Sequence, residues 1–196
     1  AQYALAHFGI DEPDLTKIYF FIGPPLIDTF MNHYGFSREQ AVEAVAVYRE
    51  RYHKVGIFEC SLYPGVKECI EELKRQGYMI GMASSKPEES CRRILEHFGI
   101  LGLFDDVVGA TMDGRIDTKE EVLNEVMRRW SEIPKEEMCL IGDTMFDIDG
   151  ANMVGVPSIA VSFGFGNVDE MLKAGAKTVI GDLRELPAKI KEIFQR

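Results

Sequence analysis

Two aspartates four residues apart, Asp143 and Asp147, lie just beyond the point where an apolar run stops. Met138 to Ile141 gives way abruptly to Gly142-Asp143-Thr144, and Asp147 completes the spacing. The run reads as a buried strand and the acidic segment as the loop it delivers. Open α/β sheets place their ligand sites at the carboxyl ends of parallel strands, and two hard oxygen donors there suit Mg²⁺. The same residues also fit a helix start, with Asp143 or Thr144 accepting from the free backbone N–H groups of the following turn. The spacing in this context favours the metal.

Two further polar clusters interrupt apolar runs or open helices: Ser84-Ser85-Lys86, and Lys119. A hydroxyl, backbone N–H groups at a helix start, an ammonium and paired carboxylates make a complementary set for a phosphate together with Mg²⁺. Taken singly, Ser84 also fits a cap for a helix beginning near Lys86, and Lys119 also fits a solvated helix lysine. The combination carries the reading.

The elements that must position these groups begin after a helical stretch. Over residues 1–60, Leu26, Ile27, Phe30, Met31 and Tyr34 recur at helical spacing. After Ser37, a plausible N-cap, Ala41, Val42, Val45, Tyr48 and Tyr52 do the same. His7, His33 and His53 are dispersed through this stretch and suggest surface or core imidazoles rather than a metal cluster. From Pro64 short apolar strands alternate with helices. Strands are expected at Tyr78 to Ala83, Asp106 to Ala110, 138–141, Ser158 to Ser162 and Thr178 to Ile180. Helices are expected from Pro64 to about Gln76, Glu88 to Phe98, after Thr118, near 148–154, Val168 to Ala174 and from Leu183. This alternation implies parallel pairing, hence a Rossmann-like, doubly wound α/β core over residues 61–196 preceded by an all-helical unit.

A 46% hydrophobic fraction is ordinary for a folded chain, and a formal charge of −10 disfavours nucleic acid and anionic membrane surfaces as partners. A phosphorylated small molecule remains compatible where local cations or a metal reverse the field. Cys60, Cys69, Cys91 and Cys139 form neither a C-x-x-C pair nor zinc spacing and read as reduced, mostly buried thiols. With no signal-peptide pattern or membrane-length apolar run, the expectation is a cytoplasmic enzyme or binding protein.

In order along the chain, Ile80 to Lys86, Lys119, and Gly142-Asp143 to Asp147 resemble the second, third and fourth motifs of the haloacid dehalogenase-like hydrolases. The whole chain is similar to their phosphoglycolate phosphatase-like branch. The resemblance implies a helical cap over residues 1–60 and a Mg²⁺-dependent phosphomonoester hydrolase acting on a small phosphorylated metabolite through an aspartyl-phosphate. It implies that Ser84, with Ser85 and Lys86, holds the phosphoryl oxygens and that Lys119 steadies the nucleophile and the transferring group. Asp143 would bind Mg²⁺ and Asp147 would support the metal or its water. The Gly23-Pro24-Pro25 turn is a candidate substrate-facing loop or a simple helix break.

One departure shapes the expectation. The family's nucleophile is the first aspartate of an Asp-x-Asp-Gly-Thr motif ending a strand that lies before the cap, and no such motif occurs ahead of residue 1 here. The string Phe146 to Ala151 imitates it, but no apolar strand leads into Asp147. The central strand is therefore expected to be missing from these residues, leaving a gap between the strands ending at Ser84 and Asp143 or a place filled by another segment. A non-catalytic phosphate-binding protein and a phosphomutase remain alternatives to the hydrolase.

Overall fold

The computed structural model describes residues 1–111, 113 and 115–194, and these divide into two compact units, Ala1–Cys60 and Ser61 onward. The first is helical: α1 (Gln2–His7), α2 (Leu26–Tyr34) and α3 (Arg38–Lys54), with a 3-10 stretch at Leu15–Phe21 between the first two. Ser37 opens α3 with a capping box, its Oγ accepting from Gln40 N at 3.2 Å while Ser37 N donates to Gln40 Oε1 at 2.9 Å. Ala41 and Ala44 are buried without bulk, so α3 closes against Leu5 of α1 and Phe30 of α2. Around Phe30 aromatic rings stack, Phe36 at a centroid distance of 5.7 Å among them.

In the second unit α4 (Val66–Arg75) leads to β1 (Gly81–Pro87), α5 (Glu88–His97), β2 (Asp106–Ala110) and α6 (Lys119–Arg129). β3 (Leu140–Gly142), α7 (Met145–Val154), β4 (Ser158–Val161), α8 (Val168–Ala174), β5 (Thr178–Ile180) and α9 (Leu186–Phe194) follow. All strand pairs are parallel. Alternate residues of each strand face opposite layers, as period 2 requires. Val107 packs with Cys91 and Leu95 of α5, whereas Val108 packs with Val122 and Val126 of α6. In β4, Ile159 and Val161 face α4 and α9, and Ala160 faces α7 and α8. Helices thus cover both faces of the strands, the doubly wound arrangement.

The sheet is divided. Among the described residues β1 pairs only with β2, and β3, β4 and β5 form a separate ladder, so β1 and β3 are not hydrogen-bonded neighbours. Between them lies a cavity of about 700 Å³, lined along its length by β1, β3 and apolar groups such as Leu73, Leu123 and Ile190. This is the expected gap between the strands ending at Ser84 and Asp143.

Several boundaries differ from the sequence reading, β3 at Leu140–Gly142 rather than 138–141 among them, and three have a local cause. β1 begins at Gly81 rather than Tyr78, because Ile80 N donates to the Asp105 side chain at 2.7 Å instead of a strand partner. It also runs on to Pro87, after a register break between Ser84 and Pro87, so the next helix starts at Glu88 and Ser84 does not cap it. Third, α7 starts at Met145 rather than near 148, because Asp147 satisfies the backbone of its first turn.

Candidate active site

Lys119 ties the site together. It is the first residue of α6, which is opened by a capping box of Thr118 and Glu121, with Thr118 Oγ1 accepting from Glu121 N at 3.2 Å. An ammonium at a helix N-terminus opposes the helix dipole and needs local partners. It has two: Nζ donates to Ala83 O at 2.9 Å, just before the register break in β1, and pairs with Asp147 Oδ1 at 2.9 Å beyond β3. Both side chains are largely buried, 15% and 13% exposed. Gly150 permits this approach, since a Cβ there would stand 2.5 Å from Lys119 Cγ.

Asp147 is fully engaged. Its Oδ2 accepts from Thr144 Oγ1 at 2.8 Å, Thr144 N at 3.0 Å and Asp143 N at 3.2 Å, while Oδ1 takes the lysine. The capping role and the loop-ordering role are therefore the same set of bonds. Asp143 is held differently: Oδ2 accepts from Phe165 N at 3.0 Å, its backbone carbonyl accepts from Gly166 N at 2.8 Å, and Oδ1 has no donor among the described residues. The loop after β4 closes on it because Gly164 has no side chain; a Cβ would lie 2.2 Å from Asp143 Cβ. Tyr63, its ring edge-on to Phe163 at 5.0 Å, is close enough that burial and then the Asp143 charge push its phenol above the ordinary range.

On the β1 side, Ser84 Oγ accepts from Lys86 N at 3.1 Å, a local turn that lifts residues 85 and 86 off the ladder. Ser84, Lys119, Asp143 and Asp147 all line one end of the cavity between β1 and β3. Ser85 and Lys86 follow Ser84 on the turn and are not among the lining residues. Gly23 sits in the first unit, between the 3-10 stretch and α2, with φ of 110°. The sequence reading named Cys91 only as a buried thiol and gave no role to Tyr63 or the 163–166 loop. The glycine alternation Phe163-Gly164-Phe165-Gly166 after an apolar strand was the available signal for that loop.

As a cation site the set is open rather than closed. Among the described residues no three His, Cys, Asp or Glu side chains gather to hold a metal. Mg²⁺ commonly takes one or two carboxylates and completes its shell with water and substrate phosphate. Asp143 fits that demand with an open oxygen; Asp147, with both oxygens occupied by protein donors, does not in this arrangement.

A parallel α/β core with a buried lysine and two aspartates at its strand ends is built for phosphoryl groups, and comparison with known proteins gives it a family. The sequence profile of the haloacid dehalogenase-like hydrolases matches residues 1–161, and the chain belongs to that family. It is 43% identical over 171 residues to a 5'-nucleotidase of Pseudomonas aeruginosa, covering 87% of this chain and 76% of the relative. It is 33% identical over 189 residues to the tyrosine-protein kinase PtkA of Mycobacterium tuberculosis, covering 94% of this chain but only 64% of that one, less than two thirds of its length. Among solved structures, a crystal structure described as a predicted phosphatase from Clostridium acetobutylicum superposes with a TM-score of 0.91 at 37% identity, over 97% of this chain and 88% of the other. Relatives named phosphoglycolate phosphatase are also similar, at 27 to 28% identity. No helix among the described residues is long and apolar enough to cross a membrane.

Proposed function

We propose that the chain supplies the charge-stabilising part of a Mg²⁺-dependent phosphomonoester hydrolase that works through an aspartyl-phosphate on small phosphorylated metabolites of the cytoplasm. The observation that carries the reading is the Lys119 ammonium, buried between the end of β1 and Asp147 at the strand-end face of the cavity. A buried cation beside two carboxylates is suited to a ligand that brings further negative charge. Ser84 offers its hydroxyl to one phosphoryl oxygen and Lys119 its charge to another, while Asp147 holds the lysine and the 143–144 backbone in place. Asp143 would hold Mg²⁺ through its open oxygen, and the metal would offset charge on the transferring oxygens.

In this reading the attacking carboxylate comes from a strand seated between β1 and β3, where two parallel edges face apolar space. On the same reading residues 1–60 are the cap unit and residues 61–196 the core, and the Gly23-Pro24-Pro25 turn is a candidate substrate loop. The kinase name of one relative favours a second reading, transfer of the phosphoryl group to a hydroxyl other than water.

Phosphate release from a panel of phosphomonoesters, with and without Mg²⁺, tests both. The chain alone should show negligible turnover, and a version extended at its N-terminus by an apolar strand ending in Asp-x-Asp-Gly-Thr should turn over and need Mg²⁺. Full turnover by the chain alone, or metal-independent turnover by the extended version, would overturn the mechanism. Phosphate appearing on an added alcohol rather than in solution would select the transferase.

A further inference from the structure

The turn that presents Ser84 rests on a thiol. Cys91, on the first turn of α5, is completely buried, and its Sγ donates to Lys86 O at 3.6 Å. The charges of Lys86 and Lys119 reach it. Burial raises the thiol above its ordinary range, so at neutral pH it remains S–H and keeps its donor. The carbonyl it satisfies belongs to the stretch between Ser84 and Pro87, where the β1–β2 register breaks. From the other side the same stretch is pressed by Gly109 of β2: a Cβ there would fall 2.5 Å from Lys86 O and 2.5 Å from Glu88 N. The turn is thus clamped between a glycine that leaves it room and a thiol that gives it a donor.

We propose that Cys91 is a positioning residue for phosphate binding, fixing the Ser84–Lys86 turn, and Ser84 with it, through its hydrogen bond to Lys86 O. This rests on the phosphate-handling reading above. The thiol proton is committed to Lys86 O and the Ser84 oxygen accepts from Lys86 N, which leaves the Ser84 hydroxyl proton to be donated. An incoming phosphoryl oxygen accepts it without any movement of the backbone. No covalent or redox step is involved.

The test compares Cys91→Ala, which deletes the donor to Lys86 O, with Cys91→Ser, which keeps a donor at similar volume. Binding of inorganic phosphate in the presence of Mg²⁺ is measured by titration calorimetry, alongside hydrogen exchange at the Lys86 amide, whose acceptor is Ser84 Oγ. Cys91→Ala should weaken phosphate binding by about tenfold, the equivalent of one net hydrogen bond, and speed Lys86 exchange relative to other β1 amides. Cys91→Ser should restore both. A purely packing role would lower the melting temperature of Cys91→Ala while leaving phosphate affinity and Lys86 exchange unchanged, and that result would overturn the proposal, as would a Cys91→Ser protein as impaired as Cys91→Ala. Absence of phosphate binding by the unaltered protein would sink the functional reading and this proposal with it. That failure is distinct, being visible before any substitution is made.

Discussion

The two halves of the divided sheet bring their functional groups to the same face by different means. On the β1–β2 side the group is presented by backbone: a register break after Ser84, room provided by Gly109 and a donor from Cys91. On the β3–β4–β5 side it is presented by a side chain, since Asp147 gathers the N–H groups of Asp143 and Thr144 and the Thr144 hydroxyl on one oxygen. The first arrangement depends on what a residue lacks, the second on what it carries. Lys119 is bonded to both halves, through Ala83 O and Asp147.

Removing that bridge should have the largest effect. Lys119→Met leaves the buried Asp147 carboxylate without its cation, and breaking a buried pair costs about 3 to 5 kcal/mol. The lower end is expected because Asp147 keeps its three donors from residues 143 and 144. Urea unfolding would measure it. A loss of less than about 1 kcal/mol, the worth of an exposed pair, would show that the halves are not coupled through the lysine.

The next contrast tests the two means of presentation directly. At Gly109 a methyl group would meet backbone atoms that cannot yield, whereas at Gly150 it would meet the flexible Lys119 side chain. Overpacking costs about 1 to 3 kcal/mol. Gly109→Ala should fall at the upper end and Gly150→Ala at the lower, read as urea midpoints. In the extended enzyme, Gly150→Ala should reduce turnover by displacing the ammonium. Equal destabilisation would erase the distinction between a backbone-built and a side-chain-built half.

Asp143→Asn should move stability little, within about 0.5 kcal/mol, because the amide oxygen can still accept from Phe165 N. Mg²⁺ affinity, followed by titration calorimetry with phosphate present, should fall sharply as the charged oxygen is lost. An unchanged affinity would remove Asp143 from the metal assignment. The divergence of the two readouts sets this residue apart from Lys119, whose loss should register in both.

These contrasts also mark what could be read from residue order. The helical periodicity of Leu26 to Tyr34, the Ser37 cap and the apolar runs at β2 and β4 were legible because each is a local property of a few adjacent side chains. Ser84, Lys119, Asp143 and Asp147 were legible as polar interruptions, and their convergence followed from the parallel topology. The engagement of both Asp147 oxygens was not, since a carboxylate four residues after another reads equally as ligand or cap until Thr144 and Lys119 are placed. Nor was the support beneath Ser84. Cys91 lies on the next element and Gly109 on the neighbouring strand, so the clamp exists only once β1 and β2 have paired with a break.

The smallest effect concerns how α6, which carries Lys119, is fastened to the β1–β2 half. At its far end Arg129 pairs with Glu88 of α5 at 3.0 Å and Asp106 of β2 at 3.2 Å, while Glu125 pairs with Arg128 and with Arg129 at 2.7 and 2.8 Å. Hydrogen bonds from Arg128 and then Arg129 hold the Glu125 carboxyl down to about 2. A carboxyl whose value is lowered by folding stabilises the folded state above its unfolded value, and the contribution disappears as pH falls through the folded one. Stability from Glu125 should therefore be complete above about pH 4.5 and decline toward about pH 2. Glu125→Gln removes the titration, so the gap between native and variant urea midpoints should narrow as pH falls through that window. The gap should be small, about 1 kcal/mol or less, because Arg128 is largely exposed and solvent screens its share. A gap that stays constant with pH would show that the glutamate acts through packing, and α6 would then owe its seat to Val122 and Val126 against Val108 rather than to the charge network.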